Sequence, residues 1–183
     1  MLKDARVVVE TGLGPNADST PIWLKALSLM PDPEKRTLYT LEQRPIHTEV
    51  DRIQSIPRKC KWELVVCDSR YESGEKMKAV LKEGHIDVLY LDAGHDESEV
   101  QAELEQLEQF IDHKTVLLTH DATIFLPKGI PQQMDRQDTY PDGYVGVSPT
   151  YTAFRKWVDG HPGWTCVLLT YPLGMALAFY CER

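Results

Sequence analysis

The sequence lacks any apolar run that approaches the roughly 20 residues needed to span a bilayer. The opening MLKDARVVVE passes directly into a predicted strand, so we also expect no secretory leader. These two absences predict a protein that has no membrane partner and acts in the cytoplasm.

Positive charge is scarce, since 20 Lys and Arg residues stand against 28 Asp and Glu residues. The formal net charge is −8. Proteins that bind a nucleic-acid backbone need clustered Lys and Arg to neutralise its phosphates. The composition therefore argues against nucleic acid as a partner.

Cysteine is sparse and shows neither metal-site nor disulfide spacing. No C-x-x-C pair occurs among the four cysteines, which are Cys60, Cys67, Cys166 and Cys181. We expect them to be reduced thiols, most of them buried in apolar surroundings.

Short strands and helices alternate along the chain, which is long enough for one domain over residues 1–183. Seven runs rich in Val, Leu and Tyr predict strands at Arg6–Gly12, Thr37–Leu41, Trp62–Cys67, Ile86–Asp92, Thr115–His120, Thr165–Tyr171 and Met175–Cys181. Five segments of helical period lie between them, at Ser19–Met30, Thr48–Ser55, Ser73–Glu83, Glu97–Asp112 and Thr150–Asp159. In the fourth of these helices, Glu and Gln are predicted to fill the face opposite an apolar stripe formed by Val100, Leu104, Leu107 and Ile111.

This alternation predicts an α/β fold with a parallel sheet and helices on both faces, because each parallel crossover needs a helix. The final segment TCVLLTYPLGMALAFYC breaks the pattern. Only Pro172, Leu173 and Gly174 join its two strands, which is too short for a crossover, so we expect the last strand to be antiparallel. Residues 123–149 hold four prolines and three glycines and predict a long irregular connection at the ligand-binding edge.

The stretch VVVETGLGPNADST, residues 7–20, predicts a buried strand followed by a ligand-binding loop. Gly12 and Gly14 would let a ligand approach the backbone, and Ser19 could cap the following helix. A dinucleotide fingerprint needs a third glycine, but Ala17 stands at that position. Glu10 at the strand end would repel a pyrophosphate, whereas its carboxylate suits a cationic ligand or ribose hydroxyls.

The E-x-G-x-G pattern of Glu10, Gly12 and Gly14 resembles the first motif of the class I S-adenosylmethionine-dependent methyltransferases. The resemblance extends along nearly the whole chain and includes the antiparallel final strand. It implies a Rossmann-like three-layer sandwich whose seven-stranded, mostly parallel sheet has the order 3-2-1-4-5-7-6.

The same resemblance implies a cofactor site along the strand ends. Glu42, after the second strand, would hold the ribose hydroxyls of S-adenosylmethionine. Asp68 and Ser69, after the third strand, would lie against its adenine, and Ser19 and Asp92 belong to the implied cofactor set. Each acid taken singly could equally be an ordinary surface group, whereas three acids at successive strand ends favour a site.

A second constellation follows the fourth and fifth strands. Asp92 and His95 form a D-x-x-H motif, and His120 and Asp121 end the next strand. The pairing resembles the cephalosporin-hydroxylase-like and macrolide-sugar O-methyltransferases, which implies that Asp92, His120 and Asp121 hold Mg²⁺ or Mn²⁺. It also implies that His95 is the general base. His120 departs from the pattern, because imidazole is a poor Mg²⁺ ligand and favours other divalent metals.

We therefore expect transfer of a methyl group from S-adenosylmethionine to a hydroxyl of a small molecule, with metal assistance left open. Two alternatives remain. One is a nicotinamide-dependent oxidoreductase, against which the incomplete glycine motif and the terminal hairpin weigh, and the other is a non-catalytic adenosyl-binding module. The sequence leaves open the identity of the acceptor and whether the chain forms a homo-oligomer.

Overall fold

A computed structural model of the chain describes residues 4–14, 18–81, 84–127, 138–140, 143–169 and 174–181, with backbone alone over 124–127, 138–140 and 143–146. The strands in these ranges are β1 (Val7–Thr11), β2 (Thr37–Glu42), β3 (Lys61–Val66), β4 (Val88–Leu91), β5 (Val116–His120), β6 (Thr123–Pro127), β7 (Asp138–Tyr140), β8 (Gly143–Val147), β9 (Trp164–Leu169) and β10 (Met175–Tyr180). The α-helices are α1 (Ser19–Leu29), α2 (His47–Gln54), α3 (Ser73–Val80), α4 (Glu97–Leu107) and α5 (Pro149–Gly160).

Seven strands form one sheet in the order β3-β2-β1-β4-β5-β10-β9. The pairs among β1 to β5 are parallel, and β10 is antiparallel to both β5 and β9. The predicted order 3-2-1-4-5-7-6 is therefore confirmed, with β9 and β10 as its sixth and seventh strands. The residues 170–173 that join these two strands lie outside the described residues.

The expectation of an irregular connection over residues 123–149 is wrong in part. The backbone there forms a second, three-stranded antiparallel sheet in the order β6-β8-β7. Thr123 is paired with Val147, far along the chain, so the pairing has no local periodicity that a sequence pattern could show. Because β6 begins two residues after Asp121, this small sheet starts at the carboxyl edge of the large one, as predicted.

Two smaller differences concern a helix end and a thiol. α4 ends at Leu107 and continues only as a 3-10 turn over Glu108–Phe110, not as an α-helix to Asp112. All four cysteines are free, but only Cys60 and Cys67 are buried; Cys166 is half-buried, and Cys181 is exposed because it follows the last residue of β10. The described residues contain no helix that is both long and apolar enough to cross a membrane.

The core lies in two layers, one on each face of the large sheet. Val8 packs with Leu24 of α1 and Ile53 of α2, and Val9 packs with the α3, α4 and α5 side. Successive strand residues point to opposite faces, so the valines of β1 serve both layers. This arrangement confirms the predicted three-layer sandwich.

Glu10 attaches α1 to the sheet through a fully buried carboxylate, 0% exposed. It accepts hydrogen bonds from Thr40 Oγ1 in β2 at 2.7 Å, from Thr20 Oγ1 in α1, and from Ser19 Oγ at 3.1 Å. The prediction of Ser19 as the helix cap is wrong. Asp18 is the residue at the cap position, and Ser19 is the first helical residue, with its hydroxyl turned to Glu10.

Burial governs the protonation of this carboxyl. Removal from water raises the pKa of Glu10 from 4.5 to about 7, although the three hydroxyl donors favour the ionised form. The neutral carboxyl is therefore the form that the folded state prefers in mildly acidic solution.

We expect Glu10→Gln to flatten the pH dependence of stability between pH 4.5 and 7. Because the folded pKa lies above the unfolded one, the stabilisation is complete below pH 4.5 and is lost as the pH rises through 7. Relative to the variant, the parent should lose up to about 3 kcal/mol of unfolding free energy across this window. Urea unfolding at several pH values measures this loss, with the exposed Glu34→Gln as the control. Parallel pH curves for the parent and Glu10→Gln would contradict the expectation.

Candidate functional site

Two clefts meet at the loop that follows β1, at the carboxyl edge of the sheet. The acidic cleft, of about 170 Å³, is lined by Glu42, Asp68, Ser69 and neighbouring residues. The histidine cleft, of about 440 Å³, is lined by Asp92, His95, His120, Ser19 and neighbouring residues. Gly12 borders the first cleft and Gly14 the second, so the glycine loop separates them.

Gly12 and Gly14 meet different structural requirements in this loop. Gly12 has φ +83°, and a Cβ atom there would lie 2.9 Å from both Ala93 Cα and the carbonyl oxygen of Asp92. The backbone of β1 therefore passes too close to the loop after β4 for any side chain. Gly14 has φ +63° but open space at its Cβ position, so it is needed only for its conformation.

Glu42 is oriented by two backbone N–H groups, one in the glycine loop and one two residues after Glu42 itself. Its Oε2 accepts the N–H of Leu13 at 2.9 Å, and its Oε1 accepts the N–H of Arg44 at 2.8 Å. The Leu13 side chain is buried, which anchors the middle of the loop. The half-buried carboxylate thus lines the acidic cleft in a set orientation, where the resemblance implies a ribose ligand.

Asp68 lies in the same cleft and pairs with Arg70. The guanidinium of Arg70 contacts Asp68 through Nε at 2.9 Å and Nη2 at 2.7 Å, and its Nη1 reaches Glu99 at 2.7 Å. Gln43 Nε2 donates to Asp68 Oδ2 at 2.9 Å. Hydrogen bonding to Arg70 holds the pKa of Asp68 below its usual value. The sequence analysis missed Arg70, although its position two residues after Asp68 suits this bidentate pair.

Ser69 turns away from the surface to a carboxylate that the sequence analysis also missed. The Ser69 hydroxyl donates to Glu103 of α4, which is 0% exposed. The prediction that the glutamates of this helix lie on a polar face is wrong for Glu103, because it falls three residues after Val100 and within the apolar stripe. Burial raises the pKa of Glu103 to about 7. The signal in the sequence that indicates this burial is an acidic residue at a position that belongs to the apolar stripe of the helix.

Asp92 connects the loop after β4 to the histidine cleft. Its N–H donates to Thr11 Oγ1 at 3.1 Å, and its carboxylate is hydrogen-bonded to Tyr90. Burial raises the pKa of Asp92 to about 6, the His120 imidazole opposes this rise, and the Asp121 carboxylate adds to it.

The predicted D-x-x-H motif and the His120–Asp121 pair come together in the histidine cleft. His120 Nδ1 lies 3.5 Å from Asp92 Oδ1 and 3.1 Å from Asp121 Oδ1. His95 Nδ1 lies 3.5 Å from Asp121 Oδ2, and the His95 side chain is 64% exposed. Asp121 has φ +51°, a left-handed conformation that turns its carboxylate toward both imidazoles.

These side chains contact one another and do not form an open set of metal ligands. One ring nitrogen, His120 Nδ1, faces both carboxylates at once. Within the described ranges, no group of three or more His, Cys, Asp or Glu side chains has a geometry suited to a metal ion. The metal site of Asp92, His120 and Asp121 therefore stays a prediction of the sequence.

Residues 19–122 match the family described as "Methyltransferase domain", which is more than half of the 183-residue chain. No curated protein matches the chain.

Solved structures of methyltransferases share the fold. CalS11, a TDP-rhamnose 3'-O-methyltransferase of calicheamicin biosynthesis, superposes with a TM-score of 0.64 at 13% identity, over 99% of this chain and 74% of its own. An O-methyltransferase from Bacillus cereus, solved with S-adenosylhomocysteine (SAH), gives 0.60 at 16% identity, over 98% and 76%. MycE of the mycinamycin pathway, solved with Mg and SAH, gives 0.58 at 13% identity, over 98% of this chain and 46% of its own.

The family match agrees with the strand order of the sheet. It confirms the predicted recognition, and it favours a methyltransferase over the nicotinamide-dependent alternative. The chain belongs to the methyltransferase-domain family and has the fold of the class I S-adenosylmethionine-dependent methyltransferases.

Proposed function

We propose that the chain transfers a methyl group from S-adenosylmethionine to a hydroxyl of a small molecule. The observation that carries the proposal is the position of the two clefts, with Glu42 in one and His95 in the other, on either side of the glycine loop. SAH in the Bacillus cereus structure and the O-methyltransferase activity named for CalS11 support the cofactor and the reaction.

In this proposal the acidic cleft binds the adenosine end of the cofactor. The Glu42 carboxylate accepts hydrogen bonds from the ribose hydroxyls, and the adenine lies beside Asp68 and Ser69. Gly12 and Gly14 allow the cofactor to approach the loop backbone. Glu10 was predicted to bind the cofactor, but it acts here without contacting it, because its carboxylate is fully buried and holds Ser19 and α1 in place.

The methyl group would then lie in the histidine cleft, where Asp92 stands near the positively charged sulfonium. The acceptor oxygen attacks the methyl carbon, the carbon–sulfur bond breaks, and neutral SAH leaves. His95 takes the proton of the acceptor hydroxyl. Its Nδ1 faces Asp121, which leaves Nε2 as the nitrogen available to the substrate.

We expect Glu42→Ala to weaken SAH binding by about tenfold or more, because charge-assisted hydrogen bonds contribute about 1.5–3 kcal/mol each. Titration calorimetry of SAH on the parent and the variant measures the change. Asp51→Ala is the matched control, since it removes an exposed acid from α2 without touching either cleft. NAD(H) serves as the control ligand and should not bind. Equal SAH affinity in the parent and Glu42→Ala would refute the ribose assignment.

We expect His95→Ala to lower turnover by about a hundredfold while leaving SAH affinity nearly unchanged, because the variant loses only the proton acceptor. The assay follows SAH released from S-adenosylmethionine with a panel of phenol and sugar acceptors. His113→Ala, exposed before β5 at the opposite sheet edge, is the control. Unchanged turnover in His95→Ala would remove this residue as the base. SAH binding without turnover on any acceptor would favour the non-catalytic adenosyl-binding module.

Metal assistance is a separate part of the proposal and rests on the resemblance, because the described histidines and carboxylates of the cleft do not form an open ligand set. No step above depends on a metal. If the predicted site exists, Asp92→Asn should weaken Mn²⁺ binding by about tenfold or more, since it removes an anionic ligand. Titration of Mn²⁺ on the parent and the variant tests this, and equal binding would contradict the site.

The acidic charge of the chain supports a small-molecule acceptor over nucleic acid. The cytoplasmic location and the single domain over residues 1–183 stay predictions of the sequence, which leaves open whether the chain forms a homo-oligomer.

A further inference from the structure

Glu103 joins the ends of three strands although it takes no part in the proposed chemistry. Thr11 Oγ1 at the end of β1 donates to Glu103 Oε2 at 3.3 Å, and Ser69 Oγ after β3 donates to Oε1. The Thr11 hydroxyl in turn accepts the N–H of Asp92 after β4 at 3.1 Å. One buried side chain of α4 therefore links three loops that are separate in sequence.

The Glu103 carboxylate sets the direction of these hydrogen bonds, because a carboxylate only accepts. A hydroxyl has a single proton, and Thr11 donates that proton to Glu103. Its lone pairs are then free to accept from Asp92, so the carboxylate determines how the loop after β4 is bonded to β1. Thr11 is 0% and Ser69 8% exposed, so water cannot readily take the place of the carboxylate.

Both clefts depend on the residues that Glu103 ties together. Ser69 and Glu103 line the acidic cleft, and Asp92 lines the histidine cleft. Thr11 precedes Gly12, where the β1 backbone already lies against the loop of Asp92. The hydrogen-bonded chain Ser69–Glu103–Thr11–Asp92 thus runs beneath the boundary between the clefts.

We propose that Glu103 is a positioning residue that sets the spacing between the acidic cleft and the histidine cleft. This inference rests on the proposed function, in which the two clefts bind the adenosine end of the cofactor and its methyl group. Glu103 itself does not contact the reacting atoms.

An acid with only a structural role would stabilise the fold without a specific effect on the hydrogen bonds of these loops. The experiment therefore compares Glu103→Leu and Glu103→Gln with Leu104→Ala, which removes a fully buried core side chain next to it in α4. The first measurement is hydrogen exchange of the Asp92 amide in the ligand-free protein, which reports its bond to Thr11 directly. The second is the dissociation constant for SAH.

In Glu103→Leu, we expect the Asp92 amide to exchange about tenfold faster or more, and SAH to bind about tenfold more weakly or more. Glu103→Gln should stay close to the parent, because its amide oxygen accepts from Thr11 and its NH₂ donates to Ser69. Leu104→Ala should lower the melting temperature and leave SAH affinity unchanged while the protein is folded. Thr11→Val, which loses the same bond to Asp92 with little change in volume, should repeat the exchange result if Glu103→Leu fails to fold.

Unchanged exchange at Asp92 in Glu103→Leu, or in Thr11→Val, overturns the inference whether or not SAH binds. A parent that binds SAH, with Glu103→Leu binding it equally well, also overturns it. Faster exchange at Asp92 in a protein whose parent binds no SAH would overturn the proposed function instead, and it would support Glu103 as the residue that spaces the two clefts.

Discussion

The last two residues of β1 hold helices on opposite faces of the sheet, and the site depends on this arrangement. Glu10 points to the α1 face and accepts hydrogen bonds from the hydroxyls of Ser19 and Thr20. Thr11 points to the α4 face, and its hydroxyl donates a hydrogen bond to Glu103. Strand alternation places these neighbours on opposite sides, so one dipeptide positions both helix layers just before the glycine loop.

Both carboxylates are buried and accept hydrogen bonds from hydroxyl groups, which offset part of the cost of removing them from water. Hydroxyls suffice for hydrogen bonding, but burial still raises the pKa values of Glu10 and Glu103 to about 7. The geometry of the clefts therefore rests on neutral donors at fixed positions. By contrast, Asp68 at the cleft surface is paired with Arg70, so it stays ionised well below neutral pH.

The division into two clefts follows from the same close approach. Because Gly12 has no side chain, the loops after β1 and β4 can lie in contact at Ala93. This contact separates the acidic cleft from the histidine cleft. Glu42 is oriented from the first side by the N–H of Leu13, and Asp121 faces His95 on the second. A cofactor with a polar nucleoside at one end and a reactive methyl at the other suits such a pair of spaces.

Local patterns in the sequence were enough to predict the α/β class and the antiparallel last strand, because periodicity and short connections act over a few residues. The strand order followed from the resemblance that Glu10, Gly12 and Gly14 carry. Three features became visible only in the folded chain: the hydrogen bond from Ser19 to Glu10, the second sheet within residues 123–149, and the burial of Glu103. Thr11 and Glu103 are 92 positions apart, and no local pattern carries information over that distance. The partner of a buried polar group is chosen by packing across elements, so the hydrogen bonds that shape this site arise only when the helices close on the sheet.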